Sequence, residues 1–180
     1  MTAVPLLLLD VDGVLSPYTS TSSQGGSTEW GDWTLPDNIK MHLPLSHTMG
    51  DALRATGCEI EWLTTWGDDA NRIVAAHLGW PTYPVWRKQQ VPGGSRLKDD
   101  ELLGWWKWRW AKARAEEGRP LIWCDDEIGA RRVEDPRIDE WIETLDQPLL
   151  LVSCDPHVGM TEMEVSEIAD FVHLVKDLGY

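Results

Sequence analysis

The chain has 180 residues, 42% of them hydrophobic and 26% charged, and its net charge is -14. This length and composition predict one globular domain over residues 1–180, with enough apolar side chains for a hydrophobic core. The negative charge argues against nucleic acid and anionic membranes as partners, unless a local basic patch intervenes. Three cysteines without paired spacing argue against a disulfide framework and against a zinc ribbon.

The first predicted element is a strand at residues 4–9, because a short continuous apolar run suits a strand buried on both faces. The N-terminal sequence lacks the basic region and the cleavage site of a signal peptide, and its apolar run is too short to span a bilayer. We therefore expect a cytoplasmic protein without a membrane segment. Residues 16–44 are rich in Ser, Thr, Gly and Pro, which predicts a long loop or flap, with a hairpin as one option.

The rest of the chain alternates helix-like and strand-like stretches. In chain order we predict a helix at 46–56, a strand at 59–63, helices at 68–78 and 98–117, a strand at 120–124, a helix at 137–145, a strand at 149–152 and a helix at 161–175. Gly57, Gly79 and Gly118 follow three of the helices, and Thr161 with Glu164 has the spacing of a capping box. This alternation predicts an α/β protein with a Rossmann-like three-layer sandwich and a mostly parallel central sheet.

Polar side chains follow three of the predicted strands: Asp10 and Asp12, then Thr64 and Thr65, then Asp125 and Asp126. Because the carboxyl ends of parallel strands lie along one edge of a sheet, where ligands bind in such folds, we expect one acidic pocket there. Clustered carboxylates resist ionising together unless a cation joins them. Mg²⁺ is the natural candidate, because it prefers oxygen ligands and is commonly held by one or two carboxylates plus a substrate phosphate.

The residue types at this edge suit phosphoryl transfer. One carboxylate can act as a nucleophile and form an aspartyl-phosphate, and a second acid on the same loop can protonate the leaving group and later activate water. Asp10 and Asp12 share a face of an extended segment, and Gly13 lets the chain turn sharply beside them. Thr64 and Lys98 would add hydrogen-bond donors for phosphate oxygens.

These segments resemble the motifs of the haloacid dehalogenase (HAD) superfamily, which consists mainly of Mg²⁺-dependent phosphatases. DVDGV resembles the first motif, WLTTW the second and WCDDE the fourth, and Lys98 in SRLKDDELLGWW stands where the family places its third-motif lysine. The motifs span residues 6–127. With the Trp-rich helix and the closing DPHVGMT, the set is also similar to small bacterial and phage HAD domains related to the HAD module of Swiss Army knife RNA repair proteins, over nearly the whole chain.

The resemblance implies a role for the residues of the first two motifs. Asp10 would be the nucleophile and a metal ligand. Asp12 would be the general acid and base, with its backbone carbonyl on the metal. Thr64 would hold the phosphoryl group, and Thr65 and Gly13 would be further substrate-binding residues.

The resemblance also implies a positive charge and the remainder of a Mg²⁺ site. Lys98 would neutralise Asp10 and the phosphate, with Lys88 and Arg96 as nearby alternatives. Asp125 and Asp126 would complete the metal site, and Asp125 is the favoured ligand of the two. Because no stretch is long enough for a large cap, the flap at 16–44 would be a minimal cap over an open site. Such a site favours large substrates, or a partner that acts as a lid.

A Trp-rich stretch, GWWKWRWAKAR at residues 104–114, interleaves aromatic and basic residues in a way that also suits single-stranded nucleic acid. Helical spacing instead predicts that its apolar residues pack on the sheet, namely Leu102, Leu103, Trp106, Trp110 and Ala113. We expect Trp105 and Trp108 to stay partly exposed. The basic residues would form a solvated face made of Lys107, Arg109, Lys112 and Arg114.

Three functions remain open on this basis. The first is Mg²⁺-dependent hydrolysis of a phosphomonoester on a small molecule or nucleotide. The second is a phosphatase acting on nucleic-acid ends, which the RNA-repair resemblance favours and the charge of -14 disfavours. The third is a non-catalytic interaction protein on a HAD scaffold. The presence of all the expected catalytic side chains argues against this third function.

Overall fold

The computed structural model describes residues 4–18, 29–37, 39, 41–87 and 105–180. Within these residues the strands are β1 (Leu6–Leu9), β2 (Trp33–Thr34), β3 (Leu45–Ser46), β4 (Glu59–Trp62), β5 (Leu121–Cys124) and β6 (Leu149–Val152). The α-helices are α1 (His47–Ala55), α2 (Trp106–Ala115), α3 (Ile128–Glu134), α4 (Arg137–Ile142) and α5 (Glu162–Asp177), and Ala70–Ala75 forms a π-helical segment.

The central sheet has four strands in the order β4-β1-β5-β6, and every neighbouring pair is parallel. Leu9 at the end of β1 pairs with Trp62 on one side and with Cys124 on the other. These strands are mostly apolar runs, which suits a parallel sheet that is covered on both faces. The predicted α/β class and parallel sheet are therefore confirmed.

Alternate side chains of β1 enter two separate apolar cores. Leu7 and Leu9 pack in the core formed with α1, the π-helical segment and α5. Leu6 and Leu8 pack in the core formed with α2, α3 and α4. Helices thus cover both faces of the sheet, and the resulting three layers are compatible with a Rossmann-like fold.

Local capping signals account for the starts of two helices. Ser46 Oγ accepts a hydrogen bond from Met49 N at 3.0 Å at the start of α1. Thr161 and Glu164 form the predicted capping box of α5. The acids at 125–127 also suit the start of a helix, and α3 does begin at Ile128, although no apolar stripe in the sequence marks its length. The part of the predicted helix at 98–104 lies outside the described residues.

The described part of the predicted flap packs on the body of the protein. β2 pairs with β3 in an antiparallel arrangement, which gives the segment a short hairpin-like pairing. Asp32 Oδ2 accepts a hydrogen bond from Thr48 N at 2.8 Å at the start of α1. Trp30 Nε1 donates to the carbonyl oxygen of Met160 at 2.7 Å. None of the helices in the described part of the chain combines the length and the apolar character needed to cross a membrane.

Candidate active site

The order of the central strands creates a crevice between the carboxyl ends of β1 and β5. The chain leaves β1 towards β4 on one side and leaves β5 towards β6 on the other, so these two neighbours flank the topological switch point of the sheet. The ladder continues one residue past each strand, because Asp10 N donates to Cys124 O and Asp125 N donates to Val152 O, both at 3.1 Å. The backbone therefore places Asp10 and Asp125 at the crevice where such folds bind ligands.

Three carboxylates converge in this crevice, and we call Asp10, Asp125 and Asp126 the acid cluster. One carboxylate oxygen from each lies within 4.8 Å of the others. Asp10 is 3% exposed, Asp125 is fully buried and Asp126 is half-buried. Acids at the ends of two strands thus meet as the sequence predicts. A set of carboxylate oxygens at this spacing fits the ligand preference of a hard divalent cation.

Lys107 of α2 lies between two of these acids. Its Nζ donates to Asp125 Oδ2 at 2.8 Å and also hydrogen-bonds Asp10 Oδ2, and its side chain is 6% exposed. The predicted place of Lys107 on a solvated face is therefore wrong. Burial alone would lower the pKa of Lys107, but the charges of Asp125 and Asp10 outweigh burial, so the pKa lies above its ordinary value. Lys98, the predicted site lysine, lies outside the described residues.

Burial and mutual repulsion both disfavour the ionised form of the carboxyl groups in the acid cluster. Burial, followed by the charge of Asp10, raises the pKa of Asp125 to about 7, although Lys107 opposes both effects. Burial and the charge of Asp10 likewise raise the pKa of Asp126 to about 6. Among the described residues, Lys107 supplies the one ammonium group that contacts this set of three carboxylates, so negative charge exceeds positive charge within the set when all three are ionised. A bound cation would supply the missing positive charge.

Asp12 lies beside the acid cluster and has a different environment. Its Oδ2 accepts a hydrogen bond from the indole Nε1 of Trp66 at 2.9 Å. Burial raises the pKa of Asp12, and the bond from Trp66 opposes that rise. Among the described residues, the carboxylates grouped closely enough to hold an ion do not include Asp12. Trp66 is a site residue that the sequence does not reveal, because a loop indole belongs to no periodic pattern.

Gly13 provides close packing between the loop after β1 and the loop after β5. Its φ is +70°, and a Cβ added there would lie 2.6 Å from Asp126 Cγ. That separation is far below contact distance, so any side chain at position 13 must displace the Asp126 carboxylate. The structure thus gives Gly13 a steric role next to the acid cluster, and its predicted contact with substrate stays a prediction.

Thr64 and Thr65 follow β4 beside β1. Leu63 N donates to Leu9 O at 2.9 Å, which continues the ladder to the start of this loop. Thr64 is buried, and its Oγ1 accepts a hydrogen bond from Trp66 N at 3.3 Å. Within the described part of the chain no acceptor takes its own hydroxyl hydrogen, which could therefore be donated to a ligand. Thr65 is exposed at the adjacent position.

The Trp-rich helix α2 is part of the core. Its aromatic residues Trp106, Trp108 and Trp110 and the preceding Trp105 are each at most 8% exposed. Trp105 stacks on Trp123 with ring centroids 4.7 Å apart. The predicted partial exposure of Trp105 and Trp108 is therefore wrong, because their rings fill the layer between α2 and the sheet. These rings are not available to stack on nucleobases.

The site as a whole combines a paired, buried carboxylate, a further acid on the same loop, a buried ammonium and a hydroxyl with a hydrogen to donate. Such a set can attack an electrophilic phosphorus, stabilise the negative charge that develops and transfer a proton to a leaving oxygen. No protein-family model, curated protein or solved structure shows a significant match to this chain.

Proposed function

We propose that this chain is a cytoplasmic HAD-type phosphatase that hydrolyses a phosphomonoester through an aspartyl-phosphate on Asp10, with Mg²⁺ as its cofactor. The observation that carries this proposal is the acid cluster gathered around Lys107 at the switch point of the sheet. Burying several carboxylates with one lysine costs folding free energy. Such groups are found most often at sites that bind ligands or perform catalysis. This cost also argues against a purely structural scaffold.

The carboxylate oxygens of the acid cluster are suitable ligands for Mg²⁺. Asp10, Asp125 and Asp126 would hold the ion through their carboxylate oxygens. When bound, Mg²⁺ supplies positive charge that polarises the phosphoryl group and balances the charge that builds up on its oxygens. Asp12 would contribute its backbone carbonyl, which leaves its side chain free for proton transfer.

Asp10 is the proposed nucleophile because its position in the crevice is fixed from two sides. Its Oδ1 accepts a hydrogen bond from Val11 N at 2.8 Å, and its Oδ2 hydrogen-bonds Lys107. Attack on phosphorus forms the bond between Asp10 and the phosphoryl group while the bond to the leaving oxygen breaks. Lys107 balances the charge of the carboxylate and of the phosphoryl oxygens, and the Thr64 hydroxyl donates to one of those oxygens.

Asp12 is the proposed general acid and base. Burial raises its pKa, which favours a protonated carboxyl that can protonate the leaving oxygen. The resulting carboxylate then takes a proton from the water that attacks the aspartyl-phosphate, so inorganic phosphate is released and Asp10 is restored. Each acid thereby returns to its starting state after one turnover.

One of the two observations that favoured a phosphatase acting on nucleic-acid ends no longer holds. The basic aromatic stretch that suggested base stacking has its tryptophans buried, and the net charge of -14 opposes a polyanionic partner. A small phosphorylated molecule or a mononucleotide is therefore the favoured substrate class.

Phosphate release from a panel of small phosphomonoesters and phosphorylated oligonucleotides, with Mg²⁺ or with EDTA, tests the proposal. Asp10→Asn keeps the shape of the side chain and removes the nucleophile, and Asp51→Asn on the exposed face of α1 is the matched control. We expect Mg²⁺-dependent release by the wild type and by Asp51→Asn, and none by Asp10→Asn. Release that is indifferent to Mg²⁺ or to Asp10→Asn contradicts the proposal.

A further inference from the structure

Trp66 connects the two loops that would bind the phosphoryl group and the leaving group. Its backbone N–H donates to Thr64 Oγ1 at 3.3 Å in the loop after β4. Its indole Nε1 donates to Asp12 Oδ2 at 2.9 Å, across 54 residues of chain, in the loop after β1. The ring is half-buried, so it is held between these loops and still borders solvent.

We propose that Trp66 is a positioning residue that orients Asp12 to protonate the leaving oxygen of an alkyl phosphomonoester. This inference rests on the proposed function, because it assigns a task within the same reaction. It adds the substrate class, namely phosphate esters of alcohols.

The hydrogen bond from Trp66 distinguishes the two oxygens of Asp12. An indole N–H can only donate, so it needs a lone pair of the carboxyl group and cannot accept the carboxyl proton. The carbonyl oxygen of a protonated carboxyl group is a better acceptor than its hydroxyl oxygen, so the hydrogen bond from Trp66 to Oδ2 favours the proton on Oδ1. Rotation of the carboxyl group about its bond to Cβ is restrained at the same time. Such orientation matters because proton transfer requires a heavy-atom separation close to hydrogen-bond length.

The proton balance points to alcohol leaving groups. As Asp10 bonds to phosphorus and the ester P–O bond breaks, the departing oxygen takes the Asp12 proton and leaves as an alcohol. An alkoxide is a poor leaving group, so this proton is needed as the bond breaks. A nitrophenolate leaves readily as an anion and does not need it. An acid that is held in place by a dedicated donor therefore fits alkyl esters better than activated aryl esters.

Trp66→Phe tests this inference, because it removes the N–H and keeps an aromatic ring. We compare kcat/KM for p-nitrophenyl phosphate with kcat/KM for the alkyl phosphate that the wild type hydrolyses fastest, because kcat/KM reports the steps up to departure of the leaving group and not the later hydrolysis of the aspartyl-phosphate. Trp66→Phe is expected to lower kcat/KM for the alkyl ester about 10- to 100-fold and to change kcat/KM for the aryl ester less than about threefold. Trp66→His, which restores a ring N–H, is expected to recover part of the loss. Trp30→Phe, which removes the indole bond to Met160 O, is the matched control.

Combining Trp66→Phe with Asp12→Asn distinguishes a role of Trp66 in positioning Asp12 from general damage to the fold. In an Asp12→Asn background, Trp66→Phe is expected to cause no further loss of kcat/KM for the alkyl ester, since the oriented proton is already absent. Equal losses on both esters, an undiminished rate on the alkyl ester, or a wild type that hydrolyses only the aryl ester would overturn the inference and leave the proposed function intact. A wild type without Mg²⁺-dependent release from either ester, or full activity in Asp10→Asn, would overturn both.

Discussion

Lys107 donates a hydrogen bond of 2.8 Å to Asp125, and the two buried side chains come from a helix and from the end of a neighbouring strand. The same ammonium group contacts Asp10 at the end of the adjacent strand. Lys107 therefore joins the acids of β1 and β5 across the switch point. These contacts link the helical layer to the acid cluster at the edge of the sheet.

Lys107→Met should damage both stability and activity. It leaves two buried carboxylates without their counter-charge, which should lower the free energy of unfolding by about 3 to 5 kcal/mol in EDTA. Phosphate release should fall at least about 100-fold, because charge on the phosphoryl oxygens is no longer balanced. Urea unfolding and phosphate release measure the two effects.

Two other lysines serve as controls for this change. Lys112→Met lies on the exposed side of the same helix and should change stability by less than about 0.5 kcal/mol. Lys98→Met decides between the lysine predicted from the sequence and the lysine found beside the acids. Full activity in Lys107→Met together with inactivity in Lys98→Met would contradict the assignment to Lys107.

Gly13→Ala should weaken Mg²⁺ binding through the acid cluster. The new Cβ would lie 2.6 Å from Asp126 Cγ, so the carboxylate must move away from its place beside Asp10 and Asp125. We expect Mg²⁺ affinity, measured by calorimetry, to fall at least about tenfold, which corresponds to about 1.4 kcal/mol.

Gly31→Ala is a close control for the backbone strain in this experiment. Gly31 has a φ of +67°, nearly that of Gly13, but no atom of the described residues lies within 4 Å of its added Cβ. Both substitutions should destabilise the fold by about 1 to 2 kcal/mol for the left-handed backbone. Weaker Mg²⁺ binding should appear only in Gly13→Ala. An equal effect in the two variants would show that strain, and not the Asp126 contact, is responsible.

Mg²⁺ should stabilise the protein more strongly as the pH rises. Asp125 and Asp126 have pKa values of about 7 and about 6, and their protons must leave before both carboxylates can bind an ion. The Mg²⁺-dependent increase in Tm should therefore be small near about pH 5.5 and large near about pH 8. A Tm increase that is independent of pH would contradict these assignments.

The same carboxyl groups predict the opposite trend without metal. Their pKa values in the folded protein lie above the ordinary value of 3.8, so the folded state binds more protons than the unfolded state between these values. Their contribution to stability is therefore present at low pH and is lost as the pH rises towards about 7. In EDTA, Asp126→Asn should reduce this loss, which a series of thermal melts can detect.

The sequence predicts the sheet and the acid cluster well because both depend on simple patterns. The four parallel strands lie within two residues of the predicted limits. Three of them are short apolar runs bounded by polar or turn residues, and β4 alternates two glutamates with apolar residues. The α/β pattern implies that Asp10 and Asp125 lie along one edge of a parallel sheet. They meet because the structure also makes β1 and β5 neighbours, which the sequence does not predict.

The sequence does not predict Lys107 as a site residue. Helical spacing identifies the buried face of a helix only when the opposite face is polar. In α2 both Lys107 and its neighbour Trp108 are buried, so periodicity does not identify the side that faces the acids. Trp66 is missed for a related reason. Its bond to Asp12 depends on how two loops approach in space, and no local sequence signal encodes that approach.

Phosphorylation of Asp10 is the defining step of the proposed reaction, and Asp12→Asn with p-nitrophenyl phosphate isolates that step. The aryl ester does not need the Asp12 proton, but hydrolysis of the aspartyl-phosphate needs the Asp12 base, so the covalent state should accumulate. We predict a Mg²⁺-dependent burst of about one nitrophenolate per protein, with the phosphoryl group on Asp10 after acid quench and peptide mass spectrometry. Nitrophenolate release without a burst, or a phosphoryl group on another residue, would rule out an aspartyl-phosphate on Asp10.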